Sequence, residues 1–288
     1  DVTDEGAERT RGYSTMQLVS GSFGVGAYAV GALLGNDTLI TIAALLVLGF
    51  TLLPALLITE PAKLEPAAAS GPGAGPPSFR TIALTLSPLW AILAYNLHGF
   101  GLRLSGVQPA GPMAEMLCAA ATVALVGHAF VRRSRPFGPF RRILAASALC
   151  WLGVQPIFVF MVSFLQSRMP GLDAAALGRV TSLAFLSLNA VAALAPLALG
   201  PLARRFGAIP VHVTALLVMA AGCLGIWQLA QAPWQLYLLM AISGIGWGSI
   251  VSLPFAILSE RVDGSRMGLF MGLFNLSVVL PQLVTSLG

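Results

Sequence analysis

The chain has 288 residues, 57% of them hydrophobic and 9% charged, against roughly 25% charged in soluble domains. Together with a mean hydropathy of +0.84, this excludes a soluble globular domain, a disordered chain and a collagen-like repeat, and leaves a polytopic membrane protein. The net charge of +5 is no nucleic-acid signature, because the arginines fall between apolar runs and build no continuous basic face with interleaved aromatics.

A membrane span needs about 20 mostly apolar residues. In chain order, such stretches lie at 14–35 and 38–58. Two weaker ones follow: 81–98, interrupted by Pro88 and His98, and 113–131, carrying Glu115 and His128. Five more lie at 143–166, 178–199, 210–230, 235–258 and 267–288. The expected fold is all-α, a bundle of about nine transmembrane helices. Between the second and third stretches runs Glu60 to Arg80, with Ser70-Gly71-Pro72-Gly73-Ala74-Gly75-Pro76-Pro77 at its centre, a composition that favours extended chain over helix. The organisation expected is therefore 1–58 as the end of one helix bundle, 59–80 as a linker and 81–131 as an inserted transmembrane hairpin. A basic cytoplasmic segment at 132–142 then leads into a second bundle at 143–288.

Orientation follows from where lysine and arginine collect, since cytoplasmic loops carry the excess. With nine spans, alternate loops hold Arg9, Arg11, Lys63, Arg80, the cluster from Arg132 to Arg142, Arg204, Arg205, Arg261 and Arg266, while the other side holds Arg103, Arg168 and Arg179. Residue 1 is then cytoplasmic and Asp37 and Pro170 face outward. The opening Asp1-Val2-Thr3-Asp4 lacks an initiator methionine and a leader pattern and reads as an internal start.

Reactive chemistry is sparse. Cys118, Cys150 and Cys223 sit in separate apolar stretches without metal-ligand spacing, so no disulfide framework, metal or cofactor is expected. There is no His-Glu-x-x-His pattern and no serine, histidine and acid on adjacent spans, so an enzyme is not expected either. His98, His128 and His212 read as interfacial residues. Gly31/Gly35, Gly244/Gly248 and Gly268/Gly272 are each spaced by four, which places each pair on one helix face and permits close approach of a neighbouring backbone.

Two stretches carry a resemblance. Gly244-Ile245-Gly246-Trp247-Gly248-Ser249 through Ser259-Glu260, and Gly268-Leu269-Phe270-Met271-Gly272 through Asn275 to Gln282, resemble helices ten and eleven of sucrose-type carriers in the major facilitator superfamily, the glycoside-pentoside-hexuronide:cation symporters. Cys150-Trp151-Leu152-Gly153 is similar to that family's helix seven and Leu188-Asn189-Ala190-Val191 to its helix eight. Gly200-Pro201-Leu202-Ala203-Arg204-Arg205-Phe206-Gly207 is similar to the superfamily's signature loop and reads as a tight cytoplasmic turn with a glycine at each end. The resemblance covers 1–58 and 140–288 and implies helices five to eleven of such a carrier. It implies alternating-access transport of a disaccharide or glycoside across the cytoplasmic membrane, with a proton as the coupling ion. A non-transporting sensor or a lipid or other-solute carrier on the same fold is the second reading.

Polar groups within hydrocarbon face a water-filled cavity or another helix. Sugar hydroxyls need partners that donate and accept, and the apolar face of a sugar ring packs on an aromatic plane. The residues that supply this on the helices which, by resemblance, surround the cavity are Trp151, Gln155, Asn189, Trp247, Asn275 and Gln282. No carboxylate lies in the seven stronger spans, so the coupling group is expected either in the first four helices of such a carrier, which this stretch does not include, or at Glu115. The expected partners are a sugar, a proton and the lipid bilayer, with no nucleic acid.

Overall fold

A computed structural model describes residues 7–34, 36–57, 78–107, 111–131, 138–261 and 267–287. These residues form an all-α protein of α1 (Ala7–Leu33), α2 (Asn36–Leu57), α3 (Phe79–Thr85), a 3-10 turn (Ser87–Leu89), α4 (Trp90–Ser105), α5 (Met113–Val131), α6 (Gly138–Arg168), α7 (Ala174–Phe206), α8 (Ala208–Leu229), α9 (Pro233–Arg261) and α10 (Met267–Leu287). Six of them, α5 to α10, are long and apolar enough to cross a membrane, and α1 and α2 hold shorter apolar stretches at Leu18–Leu33 and Ile40–Leu53. The weaker sequence stretch at 113–131 is thus one of the six. The stretch at 81–98 is broken where Pro88 stands: the helix stops at Thr85, makes one 3-10 turn and restarts at Trp90, because proline cannot supply the amide that a continuous helix requires there. The linker centre at 58–77 and the basic residues 132–137 lie outside the described residues.

Helix ends follow local chemistry. Asp173 caps α7, its carboxylate accepting from the Ala176 amide at 2.7 Å, and Ser78 caps α3 through the Thr81 amide at 3.3 Å. Gly106 ends α4 with φ 68°, a left-handed cap that suits glycine. The turn expected over 200–207 is shorter than read: Gly200 and Pro201 lie inside α7, and only Gly207, at φ 91°, separates α7 from α8. Arg204 and Arg205 do fall in the last turn of α7, where cations complement exposed carbonyls.

The chain forms two compact units, one from 1–74 with 162–253 and the other from 75–161 with 254–288. In the first, α7 packs on α1, α8 and α9. A Cβ built on Gly21 of α1 would fall 2.7 Å from the Ala193 Cβ, and Tyr28 stacks on Phe185 with ring centroids 5.6 Å apart. Glycines bring α9 close to both its neighbours: Gly244 meets the Leu188 carbonyl, Gly248 meets Ala192 and Ala195, and Gly246 meets Met219 and the Ala215 carbonyl of α8. Such contacts replace the hydrophobic effect as the adhesive between helices in lipid.

In the second unit, Leu89, Ile92, Phe140, Leu144, Ala148, Leu258, Phe270 and Phe274 form the core. Helices α4 and α5 are an antiparallel pair, Tyr95 meeting Glu115 and Ala91 meeting Cys118. The first of the pair is built into that core through Ile92, and Asn96 Nδ2 donates to the Leu280 carbonyl of α10 at 2.9 Å. Arg141, from the basic segment, is likewise buried, its guanidinium donating to Ser87 Oγ at 2.8 Å.

Candidate functional site

Trp151, Gln155, Asn275 and Gln282 belong to the second unit, and Asn189 and Trp247 to the first. Each set is described by itself.

In the second unit α6 and α10 run parallel. Phe140 meets Phe270 edge to face at 4.8 Å between centroids, and Ser277 Oγ donates to Ser147 Oγ at 3.0 Å. Seven residues separate the two contacts on each helix, so residue n of α6 stands level with residue n + 130 of α10. Trp151 is therefore level with Pro281 and Gln155 with Thr285, and Gln282 lies between those two levels. Asn275 lies seven residues before Gln282, roughly 10 Å along the axis and on the same side of the helix. Phe270, Phe274, Ser277 and Pro281 turn into the core. Successive residues are about 100° apart, so Asn275 and Gln282 occupy a different strip, with Gly268 and Gly272. That strip is open: a Cβ on Gly268 or Gly272 meets nothing within 4 Å. Asn275 is exposed, and Trp151, Gln155 and Gln282 are half-buried. Asn275 and Gln282 thus share one face of α10, turned away from the face that meets α6 through Phe270 and Ser277, and it is level along the helix alone that relates them to Trp151 and Gln155.

In the first unit Asn189 lies where α7 packs on α1. Its Nδ2 donates to the Phe185 carbonyl one turn back at 2.9 Å, and its Oδ1 lies 3.8 Å from a Cβ built on Gly24. Trp247, half-buried, stands on α9 between Gly246 and Gly248, whose missing side chains admit α8 and α7 respectively. Two further tryptophans, Trp227 and Trp234, are largely exposed, one at the end of α8 and the other at the start of α9. Arg168, in the last turn of α6, donates to the Trp227 carbonyl at the end of α8.

Two pairings have no trace in the sequence. His212, half-buried in the second turn of α8, hydrogen-bonds Ser249 Oγ of α9 through its Nδ1 at 2.7 Å, and Ser249 is fully buried. Neither residue carries a local sequence signal, since the pairing exists only once α8 and α9 are in register. The Ser147–Ser277 bond was missed for the same reason, because serines in membrane helices usually turn back on their own carbonyls, as Ser243 and Ser252 do here. Glu115 lies in the first turn of α5, exposed, and its Oε1 accepts from the Tyr95 hydroxyl at 3.2 Å. Among the described residues, no cluster of three or more His, Cys, Asp or Glu is placed to hold a metal.

Comparison with known proteins adds the following. The sequence profile of the Major Facilitator Superfamily matches residues 1–286. Sucrose transport protein SUC4 of Arabidopsis thaliana is 26% identical over 192 residues, covering 54% of this chain and 36% of the relative. The match thus spans about a third of the length of that curated relative. No solved structure matches.

Proposed function

The chain belongs to the Major Facilitator Superfamily, a family of transporters, and from that premise we propose that it moves a sugar, a disaccharide or a glycoside, by alternating access coupled to a proton. It is a multi-pass membrane protein, and the cytoplasmic membrane is the proposed location. The observation that carries the sugar reading is the similarity to a sucrose transport protein. The residues are consistent in their chemistry: Trp151, Gln155, Asn189, Trp247, Asn275 and Gln282 offer amides and indoles, and carboxylates are absent among them. A neutral polyol is met by groups of this kind, whereas a charged solute calls for a countercharge.

Gln155, Asn275 and Gln282 would bond hydroxyls, and Trp151 and Trp247 would pack on the apolar face of a ring. Binding at such a site biases the equilibrium between inward- and outward-open states only by its differential affinity for the two. Accumulation against a gradient therefore needs the second, ion-coupled step. The test is uptake of labelled sucrose, maltose and a β-glucoside by cells expressing the protein, with and without a protonophore. Saturable uptake of at least one sugar, abolished as accumulation by the protonophore, is expected. Absence of saturable uptake of every sugar, with the protein at the cell surface, overturns the sugar reading, and accumulation insensitive to the protonophore overturns proton coupling.

A further inference from the structure

The α4–α5 hairpin carries a groove that the sugar reading leaves without a task. It encloses about 350 Å³, within the range of small-ligand sites. Ala91, Ala94, Ala114 and Ala121 line it, and Cys118, whose Sγ donates to the Ala91 carbonyl at 3.7 Å, closes its base. Ala94 and His98 are exposed, and the groove faces away from the core that Leu89 and Ile92 enter.

Its polarity is graded along the hairpin. Helix α4 runs towards the turn at Gly106 and α5 away from it, so His98 and Glu115 lie near the turn, and Ala91, Cys118 and Ala121 lie deeper. From Glu115 to Ala121 is six residues, roughly 9 Å of helix rise. The turn end holds the polar atoms: the Tyr95 hydroxyl bonded to Glu115 Oε1 at 3.2 Å, and the His98 ring one turn further on. The deep end is apolar. This is the profile of a molecule that lies in one leaflet with its head at the surface and its chain inward.

We propose that the α4–α5 groove binds a phospholipid with a primary-amine head group, the ammonium on Glu115, the phosphodiester beside His98 and the first part of an acyl chain along the alanines. A carboxylate only accepts hydrogen bonds, and it already takes one from Tyr95. Its remaining lone pairs call for a cationic donor, which an ammonium is and a trimethylated choline head is not. A phosphatidylglycerol head carries the same phosphodiester but has no cation to set against Glu115. The occupant is a lipid rather than a second copy of the chain because polarity changes along the groove in the direction in which a leaflet changes. A helix from another copy would bury Glu115 and His98 against the exposed face of α4 or α5, whose large side chains include Leu93, Leu97, Met116 and Val123 and whose Arg103 already donates to the Ser286 carbonyl of α10 at 3.1 Å.

The detergent-purified protein is mixed with phosphatidylethanolamine, phosphatidylcholine or phosphatidylglycerol of matched acyl chains, and retained lipid is counted by native mass spectrometry. Phosphatidylethanolamine is expected to be retained over both others. Glu115→Gln should lower its retention by about tenfold, the loss of one charge-assisted contact, to the level of phosphatidylcholine. Ala94→Leu, which fills the groove and leaves the polar end intact, should lower retention of phosphatidylethanolamine at unchanged expression, and it serves as the independent variant if Glu115→Gln does not insert. Equal retention of the three lipids overturns the proposal, as does a preference that survives both substitutions. A dimer that Ala94→Leu dissociates would show a second copy in the groove and overturn it as well.

Discussion

Gly248 of α9 sits against the carbonyl of Ala192 in α7: a Cβ added to the glycine would fall 2.7 Å from that oxygen. Ala192 is four residues before Pro196, so its carbonyl is the one that proline leaves without a helical amide. With no side chain at Gly248, the α9 backbone can approach that oxygen. Helix α7 thus keeps a proline within its buried length because α9 has no side chain at the point of contact.

Gly248→Val should therefore destabilise the protein by about 1 to 3 kcal/mol through overpacking, against both the Ala192 oxygen and the Ala195 Cβ at 2.8 Å. Gly272→Ala, where a Cβ meets nothing within 4 Å, should be neutral or stabilising by up to about 1 kcal/mol. Melting temperatures of the two variants in detergent check this. Equal losses would show that the four-residue glycine spacing, and not the contact, sets the cost.

Asn96 is buried and spends its amide nitrogen on the Leu280 carbonyl, while its Oδ1 has no partner among the described residues. Asn96→Leu gives up one bond and one unsatisfied oxygen together, so its cost should stay within about 1 kcal/mol. Asn96→Asp puts a charge at the same place and should cost about 2.5 to 3.5 kcal/mol, the price of an acid at mid-helix in lipid. Denaturant titration of the folded fraction separates the two; a harmless aspartate would mean that water reaches the site.

The His212–Ser249 bond joins α8 to α9. A double-mutant cycle of His212→Phe and Ser249→Ala should give a coupling of about 0.5 to 1.5 kcal/mol in thermal or denaturant stability. Additive losses would mean that the two residues pack without bonding.

Orientation is tested with single cysteines in a background lacking Cys118, Cys150 and Cys223. An impermeant maleimide should label Gly171→Cys in intact cells and leave Arg205→Cys unlabelled until the cells are opened, as the arginine distribution requires. The opposite pattern inverts the topology.

What the sequence conveyed and what it withheld divide along a physical line. Apolar length and Pro88 are local, and they led to the helices and to the break before Trp90. The pairing of helices is not local. Gly244/Gly248 and Gly268/Gly272 share one spacing, yet the first pair is wedged against α7 and the second is open. His212 and Arg141 show no partner in the sequence, and the fold brings Ser249 and Ser87 to them. Among the candidate sugar residues, Asn189 has its amide nitrogen committed to a carbonyl of its own helix, a use that its sequence neighbours do not reveal.

The sugar site is tested most directly by half-saturation. With Gln155→Leu and Gln282→Leu at matched surface levels, concentration-dependent uptake of a transported sugar should need more substrate for half-saturation. Each lost hydrogen bond is worth about 0.5 to 1.5 kcal/mol, roughly 2- to 13-fold in affinity. Insertion and maximal expression should be unchanged. Unchanged half-saturation in both variants, for every sugar the protein carries, would contradict the account and return these amides to helix packing.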